Sequence, residues 1–474
     1  MVKVLLVNPP YSLEQRYGSR MKSFGAVTEP MGLAYLAGSL QASGFPVEIL
    51  DAPAVGARAD AVAERVSGNA FALVGITFLT PMFSTVADLI RRIKALCPTT
   101  HVVVGGPHPT ALPERTLQEI PWIDSVCVGE GEGTIVDLAS ALSEGRDLSG
   151  VKGLVFRTGE AITKNPPRPF EKNLDALPKP ARHLLPLDSY RLTASRTKGS
   201  AFCPTLIVAR GCPFNCQFCS HPFGRTFRHH SVERIVEELK DLKESYGLSQ
   251  VNLEADTLTL NRKFLLELCR AMIQEGLNLA WTCESRVDTV DEEMLASMRK
   301  AGCWQISYGV ESGCERLLGI IQKGVTREQV RRTFAMTRKA GITMRGFFML
   351  GLPSETPAES RETIEFARRL DPLWAQFTVT VPYPGTPLFA SLDAEGKIRH
   401  YDWSQYNTWG GWADTRLPYV PEGRSEEELK HLQKKALRLF YMRPAVALRF
   451  VKSLTTLSDL KKYARGLMVL LKTR

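Results

Sequence analysis

The sequence predicts an α/β protein with three parts: a doubly wound, Rossmann-like N-terminal domain, a partial TIM-type (β/α)6 barrel and a helical C-terminal extension. Two observations support this fold class. Short strands rich in Val, Ile and Leu alternate with helix-length segments twice along the chain, and a proline-rich stretch separates the two alternations. At 474 residues, the chain suits two or three domains rather than one.

The first alternation occupies residues 1–145. Its predicted strands are bounded by Gly, Pro or Asn, as buried parallel strands commonly are. The strands are Lys3–Val7, Val47–Leu50, Leu73–Thr77, His101–Val104 and Ser125–Val128, and the helices are Leu33–Ala42, Asp60–Val66, Phe83–Leu96, Pro113–Glu119 and Thr134–Leu142. A doubly wound sheet of this kind binds its ligand at the carboxyl ends of the strands.

Residues 146–195 contain six prolines between 166 and 186 and predict an ordered but irregular connector. Residues 196–395 then repeat the strand–helix alternation six times, which predicts a partial barrel with its site at the carboxyl ends of the strands. The strands are Thr205–Ala209, Gln250–Glu254, Leu279–Glu284, Trp304–Gly309, Thr343–Met349 and Gln376–Val381, and the helices are Val232–Tyr246, Lys263–Gln274, Glu292–Lys300, Arg327–Lys339 and Pro357–Arg369. Ser231 is placed as a helix N-cap, and glycines 247, 276, 302 and 341 are placed to end helices.

Residues 396–474 are first rich in aromatic residues and then helical. We expect Trp403, Tyr406, Trp409 and Trp412 to cover the barrel mouth, although they could instead line a pocket for a large apolar molecule. Residues 449–474 contain seven basic residues, which are interleaved with leucines, and a single acidic residue, Asp459. This pattern predicts a C-terminal helix with a solvated basic face; the alternative is weak attachment to an anionic membrane surface.

Composition excludes several other classes of protein. The N-terminus predicts a strand rather than a signal peptide, and no apolar run is long enough to span a membrane, so we expect a cytoplasmic protein. Ten cysteines in such a chain are not expected to form a disulfide framework. The net charge of +10 could indicate nucleic-acid binding, but no basic stripe is interleaved with aromatic residues.

Three cysteines, Cys212, Cys216 and Cys219, lie close together just after the first barrel strand. Thiolates are soft ligands that favour iron–sulfur clusters or zinc. Structural zinc normally takes four protein ligands, and no fourth ligand follows at a suitable spacing. The spacing therefore predicts an iron–sulfur cluster with one iron open to another molecule. Cys203 precedes the strand and is not expected to be a ligand.

This loop resembles the radical S-adenosylmethionine (SAM) superfamily, whose signature is CxxxCxxC with an aromatic residue, here Phe218, before the last cysteine. The resemblance implies a 4Fe–4S cluster that chelates SAM and cleaves it to methionine and a 5′-deoxyadenosyl radical. It also implies an external electron donor, such as a flavodoxin or a ferredoxin. Phe218 is expected to contact SAM.

Four further residues at strand ends match motifs of the same superfamily and are expected to bind SAM. Asp256 lies in a stretch that resembles DDxFTxN, in which Ala255 replaces the first Asp, and Arg286 follows Trp281-Thr282-Cys283-Glu284-Ser285. Glu311 lies in Gly309-Val310-Glu311-Ser312-Gly313, and Gly351 lies in the turn after the fifth strand. Each could instead be a helix cap or a salt-bridge partner.

The first domain resembles the cobalamin-binding domain found ahead of radical SAM barrels. The stretches Gly75-Ile76-Thr77-Phe78-Leu79-Thr80, Val104-Gly105-Gly106-Pro107-His108-Pro109-Thr110 and Val128-Gly129-Glu130-Gly131-Glu132 carry this resemblance. It implies cobalamin contacts from Thr77, Thr80, Gly105, Gly106, His108, Thr110, Gly129 and Glu130. The DxHxxG motif that supplies an axial histidine is absent, which does not exclude cobalamin, and the favoured interpretation of His108 is a turn residue hydrogen-bonded to backbone rather than an axial ligand.

Together the resemblances imply a cobalamin-dependent radical SAM enzyme, with methyl transfer from methylcobalamin to an unactivated carbon as the expected reaction. The alternatives are a cyclase or another C–C bond-forming enzyme of the same layout, a cobalamin-free radical SAM enzyme and, from another class, a basic nucleic-acid-binding protein with a structural metal. We expect a small-molecule substrate and no nucleic acid; a lipid substrate would fit a C-terminus that contacts the membrane.

Overall fold

The computed structural model of the chain describes residues 2–22, 25–190, 196–198, 202–444, 446 and 448–449. Its first sheet has seven strands in the order β2-β1-β3-β4-β5-β6-β7, of which the first five pair in parallel and the last two join in antiparallel fashion. The strands are β1 Val4–Asn8, β2 Val47–Asp51, β3 Leu73–Thr77, β4 His101–Gly105, β5 Ser125–Cys127, β6 Leu154–Thr158 and β7 Ala161–Lys164.

Helices cover both faces of this sheet, as the doubly wound prediction requires. Alternate residues of β1 enter opposite cores: Leu6 packs with α2 and α8, whereas Leu5 packs with α4 and α5. The helices are α1 Leu13–Met21, α2 Met31–Ala42, α3 Ala52–Val55, α4 Ala59–Gly68, α5 Phe83–Leu96, α6 Pro107–Ala111, α7 Pro113–Glu119 and α8 Glu132–Glu144.

Part of the stretch predicted to be an irregular connector is regular. The hairpin β6–β7 extends the first sheet, and Gly159 at φ +61° makes its turn. The sequence signal was weak because β7 is a partly exposed edge strand with few apolar residues. After residue 164 the proline-rich segment does follow the prediction, with short 3-10 turns at Leu174–Ala176, Arg182–Leu184 and Leu187–Ser189.

The second sheet has six parallel strands in the order β15-β14-β13-β12-β11-β8, which confirms the partial barrel. A small antiparallel pair, β9 with β10, lies beside it. The strands are β8 Thr205–Ile207, β9 Ala209–Arg210, β10 Arg228–His229, β11 Gln250–Glu254, β12 Ala280–Ser285, β13 Cys303–Glu311, β14 Thr343–Leu350 and β15 Trp374–Val379. The surrounding helices are α9 Val232–Tyr246, α10 Arg262–Gln274, α11 Glu292–Lys300, α12 Glu315–Ile320, α13 Arg327–Lys339 and α14 Pro357–Leu370.

Local signals set the helix ends where the sequence placed them. The Ser231 hydroxyl accepts from the Arg234 amide at the start of α9, and Gly247 ends that helix in the left-handed conformation. Glycines 276, 302 and 341 also have positive φ after their helices.

The C-terminal region covers the barrel and joins it to the first domain. It comprises α15 Pro387–Ala394, α16 Gly410–Ala413 and α17 Glu426–Tyr441. Trp403 is buried and its indole N–H donates to Glu119 at 2.6 Å, while the Tyr17 ring of α1 meets the Trp409 ring edge-on at 5.6 Å between centroids. Trp403 and Trp409 therefore pack against the first domain, while the role of the four aromatic residues as cover of the barrel mouth stays a prediction. None of the described helices is long and apolar enough to cross a membrane. The basic tail lies outside the described residues, apart from Arg449.

Candidate functional site

The cysteine loop starts at a glycine that no other residue can replace without strain. Gly211 has φ +89°, and a Cβ there would lie 2.2 Å from the Thr226 carbonyl oxygen. Its amide donates to Asp256 Oδ2 at 2.7 Å, and the Cys212 amide donates to the Gly224 carbonyl at 3.3 Å. The loop is thus held between the carboxyl end of β11 and the segment that leads to β10.

Cationic and backbone groups surround the three thiols. Cys216 is buried, Cys212 is half-buried and Cys219 is exposed. Arg286 Nη1 lies 3.4 Å from Cys216 Sγ, and the same guanidinium lies 3.6 Å from the centroid of the Phe214 ring. A cation beside a buried sulfur complements the charge of a thiolate. This donor set therefore fits an iron–sulfur cluster.

Among the described residues, no three His, Cys, Asp or Glu side chains are grouped as they would be around one metal ion. A cubane cluster sets a different requirement, because each cysteine binds a different iron and the sulfurs stand further apart. The Gln217 amide donates to the Ile321 carbonyl at 2.9 Å, and the Leu388 amide donates to the Gln217 carbonyl at 2.8 Å. These bonds fix the turn between Cys216 and Cys219.

Three of the residues expected to bind SAM lie at adjacent strand ends, and their side chains already have partners. The Asp256 carboxylate accepts from the Gly211 amide, and burial raises the pKa of Asp256. Arg286 pairs with Asp288 at 2.8 Å and donates to the Lys323 carbonyl at 2.7 Å. In this arrangement Arg286 holds the cysteine loop, and its contact with the SAM carboxylate stays a prediction.

Glu311 forms a buried ion pair that the sequence did not reveal. Its Oε1 accepts from Lys323 Nζ at 2.8 Å, and Lys323 also lies 5.6 Å from the centroid of the Phe218 ring. Glu311 has φ +64°, a strained conformation for a non-glycine residue that is common at functional sites. Lys323 was missed because it lies in a short connection after α12 that carries no motif.

Gly351 has a packing reason for being glycine. It has φ +77°, and a Cβ there would lie 3.1 Å from Leu429 of α17. The close approach of α17 therefore explains this glycine without SAM, and its contact with SAM stays a prediction.

At the carboxyl edge of the first sheet, three threonines contact neighbouring groups of the same edge. A Cβ on Gly106, which has φ +97°, would lie 2.8 Å from the Thr77 hydroxyl oxygen. Thr80 Oγ1 lies 3.2 Å from His108 Nδ1, and the Gly129 amide donates to Thr110 Oγ1 at 3.1 Å.

His108 is buried among aromatic rings. Its ring lies 5.4 Å from those of Phe78 and Phe83 and 5.3 Å from that of Trp403, between centroids. Burial, and then the charge of Arg115, lowers the pKa of His108 to about 3. In this arrangement His108 is neutral and bonds to the Thr80 hydroxyl rather than to backbone, and its contact with cobalamin stays a prediction.

Glu130 takes part in a buried ion network between the two domains. Arg228 donates to both of its oxygens, at 2.9 and 3.1 Å, and Arg210 donates to it at 3.1 Å. Arg210 also donates to Glu132 at 2.7 Å. The Glu130 side chain thus joins the domains, a role that the sequence analysis did not anticipate.

The network places the two predicted cofactor edges face to face. Arg210 directly precedes Gly211-Cys212, and Glu130 and Glu132 lie in the turn after β5. The available sequence signal was the acidic run Glu130-Gly131-Glu132 and an arginine beside the cysteine motif, but nothing in the sequence pairs them.

Comparison with known proteins agrees with both halves of the chain. The model described as the Radical SAM superfamily matches residues 206–367, and that of the B12 binding domain matches residues 20–139. An uncharacterised methyltransferase from Pyrococcus horikoshii is 36% identical over 451 residues, which cover 95% of this chain and 94% of that protein. The anaerobic magnesium-protoporphyrin IX monomethyl ester cyclase of Rubrivivax gelatinosus is 30% identical, over 86% of this chain and 72% of that protein.

A solved structure shows the same fold. The radical SAM methyltransferase TsrM from Kitasatospora setae, with cobalamin and a 4Fe–4S cluster bound, matches with a TM-score of 0.71. The match covers 94% of this chain and 90% of that one at 18% identity.

Proposed function

Because this chain belongs to the radical SAM enzymes that carry a cobalamin-binding domain, we propose that it transfers a methyl group to an unactivated carbon of a small molecule. Its cofactors are a 4Fe–4S cluster, SAM and cobalamin. When bound, the cluster supplies the electron that cleaves SAM, and cobalamin carries the methyl group.

The observation that carries the proposal is the buried network of Arg210 and Arg228 with Glu130 and Glu132. It holds the turn after β5 against the segment that opens the cysteine loop. A substrate carbon that reacts at both cofactors has to reach both sites, which must therefore face one another at a fixed separation. Both domains contribute to these four buried charged groups, and removal of one partner would leave a buried charge uncompensated.

The chain's own residues position the reactants and exclude water. Cys212, Cys216 and Cys219 would hold the cluster, with the Arg286 guanidinium beside Cys216. The Thr77 hydroxyl and glycines 105, 106 and 129 would line the cobalamin edge, since they follow or end strands β3, β4 and β5. Trp403 and Tyr406, both buried, close the space between the domains against solvent.

The test is anaerobic reconstitution with iron, sulfide and hydroxocobalamin, followed by incubation with SAM, reductant and fractions of small molecules. Methyl transfer through cobalamin consumes one SAM as methyl donor and another as radical source. We therefore expect both S-adenosylhomocysteine and 5′-deoxyadenosine, together with a product that carries label from the SAM methyl group.

The cyclase alternative predicts a different ratio of products. Cyclisation without methyl transfer would form 5′-deoxyadenosine and no S-adenosylhomocysteine above background. Iron binding without stoichiometric cobalt would contradict the proposal at an earlier step. The variant Cys212→Ala is the control, since it should form neither compound.

Membrane contact is a separate proposal that rests only on the basic, leucine-rich C-terminal sequence from Arg449 onward. Flotation with vesicles of phosphatidylglycerol and phosphatidylcholine, compared with phosphatidylcholine alone, measures it. A chain truncated after residue 448 should not bind the anionic vesicles. Equal recovery of the full and the truncated chain with these vesicles would contradict the membrane proposal.

A further inference from the structure

The interior of the barrel contains a charged layer that none of the cofactor assignments uses. β14 alternates strictly: Met344, Phe348 and Leu350 pack in the helix-side core, so Arg345 faces the opposite side, into the barrel. Strand registers place Arg345 level with Ser307 of β13, which is level with Glu284 of β12. Glu254 of β11 lies level with Glu284, one residue beyond the Leu253–Cys283 pair.

This layer lies deeper than the edge that holds the cysteine loop. Asp256 and Arg286 each follow the layer residue of their own strand, Glu254 or Glu284, by two positions on the same face. At the rise of a strand, two residues correspond to about 6–7 Å. The layer is therefore inside the barrel, beneath the predicted cluster and SAM residues.

Arg345 is half-buried there, and no carboxylate is bonded to it. Its Nη2 donates to the Gln376 side chain, its guanidinium lies 4.7 Å from the Phe347 ring centroid, and its buried Nη1 has no hydrogen-bond partner. Glu284 pairs with Arg196 instead. Burial, and then the charge of Arg196, lowers the pKa of Arg345 to about 10, so the guanidinium is still charged at neutral pH.

A second polar side chain on the same wall is also unpartnered. Gln305 is fully buried, and both its amide nitrogen and its amide oxygen have no partner. It lies two residues before Ser307 on β13, on the face opposite to Ile306 and Tyr308, which belong to the helix-side core. An unpaired buried polar group is costly, and a bound polar ligand would remove this cost.

We infer that Arg345 binds an anionic group, a carboxylate or a phosphate, of a small polar acceptor substrate inside the barrel. The inference rests on the proposed function and names its substrate class. Buried, unpaired N–H groups of a guanidinium recognise these two anions best because they match its planar donor geometry. Glu254 faces the same side of the sheet as Arg345. Burial, and then the charge of Glu284, raises the pKa of Glu254. Its carboxyl group suits a hydroxyl or an ammonium of the same molecule. A large apolar acceptor would leave Nη1 of Arg345 and the Gln305 amide unpaired.

The experiment measures ligand binding to the reconstituted holoenzyme by anaerobic calorimetry. The probes are inorganic phosphate, phosphonoacetate and succinate, with succinamide as the uncharged match and farnesol as the apolar rival. We expect at least one acid to bind and neither neutral compound to bind. Arg345→Gln should raise the dissociation constant of that acid by about tenfold or more, the usual effect of losing a buried hydrogen bond to a charged group. Arg368→Gln, on the outer helix α14, should leave the affinity unchanged.

A second variant keeps the test valid if Arg345→Gln does not fold. Ser307→Asp places a carboxylate level with Arg345 on the adjoining strand. It should pair with the guanidinium, retain the melting temperature and abolish acid binding. Retained acid binding in a folded Ser307→Asp variant would contradict the inference.

The carboxylate of SAM itself is the other source of a matching anion. Arg345→Gln should leave the dissociation constant of SAM within about twofold; a loss as large as that for the acid would assign Arg345 to SAM and overturn the inference. Failure of all three acids to bind the wild type, or binding of farnesol alone, would also overturn it. Calorimetry measures acid binding without turnover. Absence of S-adenosylhomocysteine formation would therefore contradict the proposed methyl transfer but would not affect the measurement of acid binding.

Discussion

The two strand edges that meet between the domains are built differently. At the barrel edge, thiols and charged side chains surround the cysteine loop, and Cys216 lies against a guanidinium. At the edge of the first sheet, Thr80 and Thr110 bond to His108 and to the Gly129 amide. The barrel edge therefore offers side-chain ligands, whereas the first edge offers mainly shape and backbone. Substitutions should separate these two modes of cofactor binding.

Loss of a cluster ligand should have the largest effect. We expect Cys216→Ala to lower the iron content from about four per chain to below about one and to abolish 5′-deoxyadenosine formation, because the cluster is held by thiolates. Cobalt content should stay unchanged, since the first sheet is not altered. Cys203→Ala is the matched control at a buried thiol outside the loop. Equal iron loss in both variants would show a folding defect rather than the loss of a ligand.

The joint between the edges should come next. Arg210→Met leaves Glu130 and Glu132 buried with fewer partners, so we expect about 3–5 kcal/mol of destabilisation in chemical unfolding. The exposed pair of Arg91 with Asp88 provides the control, since Arg91→Met should cost at most about 1 kcal/mol. Similar decreases in the free energy of unfolding for the two variants would show that the network between the domains contributes no more stability than an exposed ion pair.

The same network has a pH dependence with a definite sign. Burial raises the pKa of Glu130, but the hydrogen bond from Arg228 and the charge of Arg210 outweigh it and hold this pKa below its ordinary value. The stability that the carboxylate contributes is present above the unfolded pKa, near about 4.3, and is lost as the pH falls through the depressed folded pKa. Glu130→Gln should flatten this acid limb of the stability curve.

The backbone of the first edge should give a smaller, selective effect. In Gly106→Ala, the residue would keep a backbone conformation that favours glycine, and its Cβ would lie 2.8 Å from the Thr77 hydroxyl oxygen. We therefore expect about 2–4 kcal/mol of destabilisation. Bound cobalt should be lost and iron should be retained. Gly145→Ala, also at positive φ but with nothing within 4 Å of its Cβ, separates backbone strain from the contact. Iron loss in Gly106→Ala would contradict independent cofactor sites.

His108 should give the smallest effect on cofactor binding. We expect His108→Phe to retain cobalamin with an unchanged visible spectrum, because the ring is held by Thr80 and aromatic neighbours. Between about pH 6.5 and pH 3 the unfolded chain binds a proton at this residue that the folded chain does not. The free energy of unfolding therefore decreases as the pH is lowered through that window. The variant should lose this part of the slope. A shifted cobalamin spectrum would indicate axial ligation.

Local patterns account for what was predicted well. Within residues 1–395, every strand and helix predicted with bounds is present, and its ends lie within two residues of the observed bounds, because periodicity and caps act over neighbouring residues. The predicted C-terminal helix lies outside the described residues. The cysteine spacing indicated a cluster loop for the same reason, since all three thiols lie in one short segment. The hairpin β6–β7 was missed because an exposed edge strand carries little of the apolar pattern on which strand prediction rests.

Contacts between distant residues could not be predicted in the same way. Glu130 and Arg210 are 80 positions apart, and their pairing depends on how two separately folded sheets pack. The SAM motifs singled out Glu311, but its buried partner Lys323, 12 positions further along the chain, carries no motif and is identified only by the fold.

The sequence by itself determined the two α/β units, the cluster loop and the resemblance that names the cofactors, because each depends on residues close together in the chain. Only the tertiary structure decided which charges are paired and which are not. It pairs Glu130 with two arginines and leaves Nη1 of Arg345 without a partner inside the barrel. Pairing depends on distance and burial, and both are set by packing among segments that the sequence places far apart.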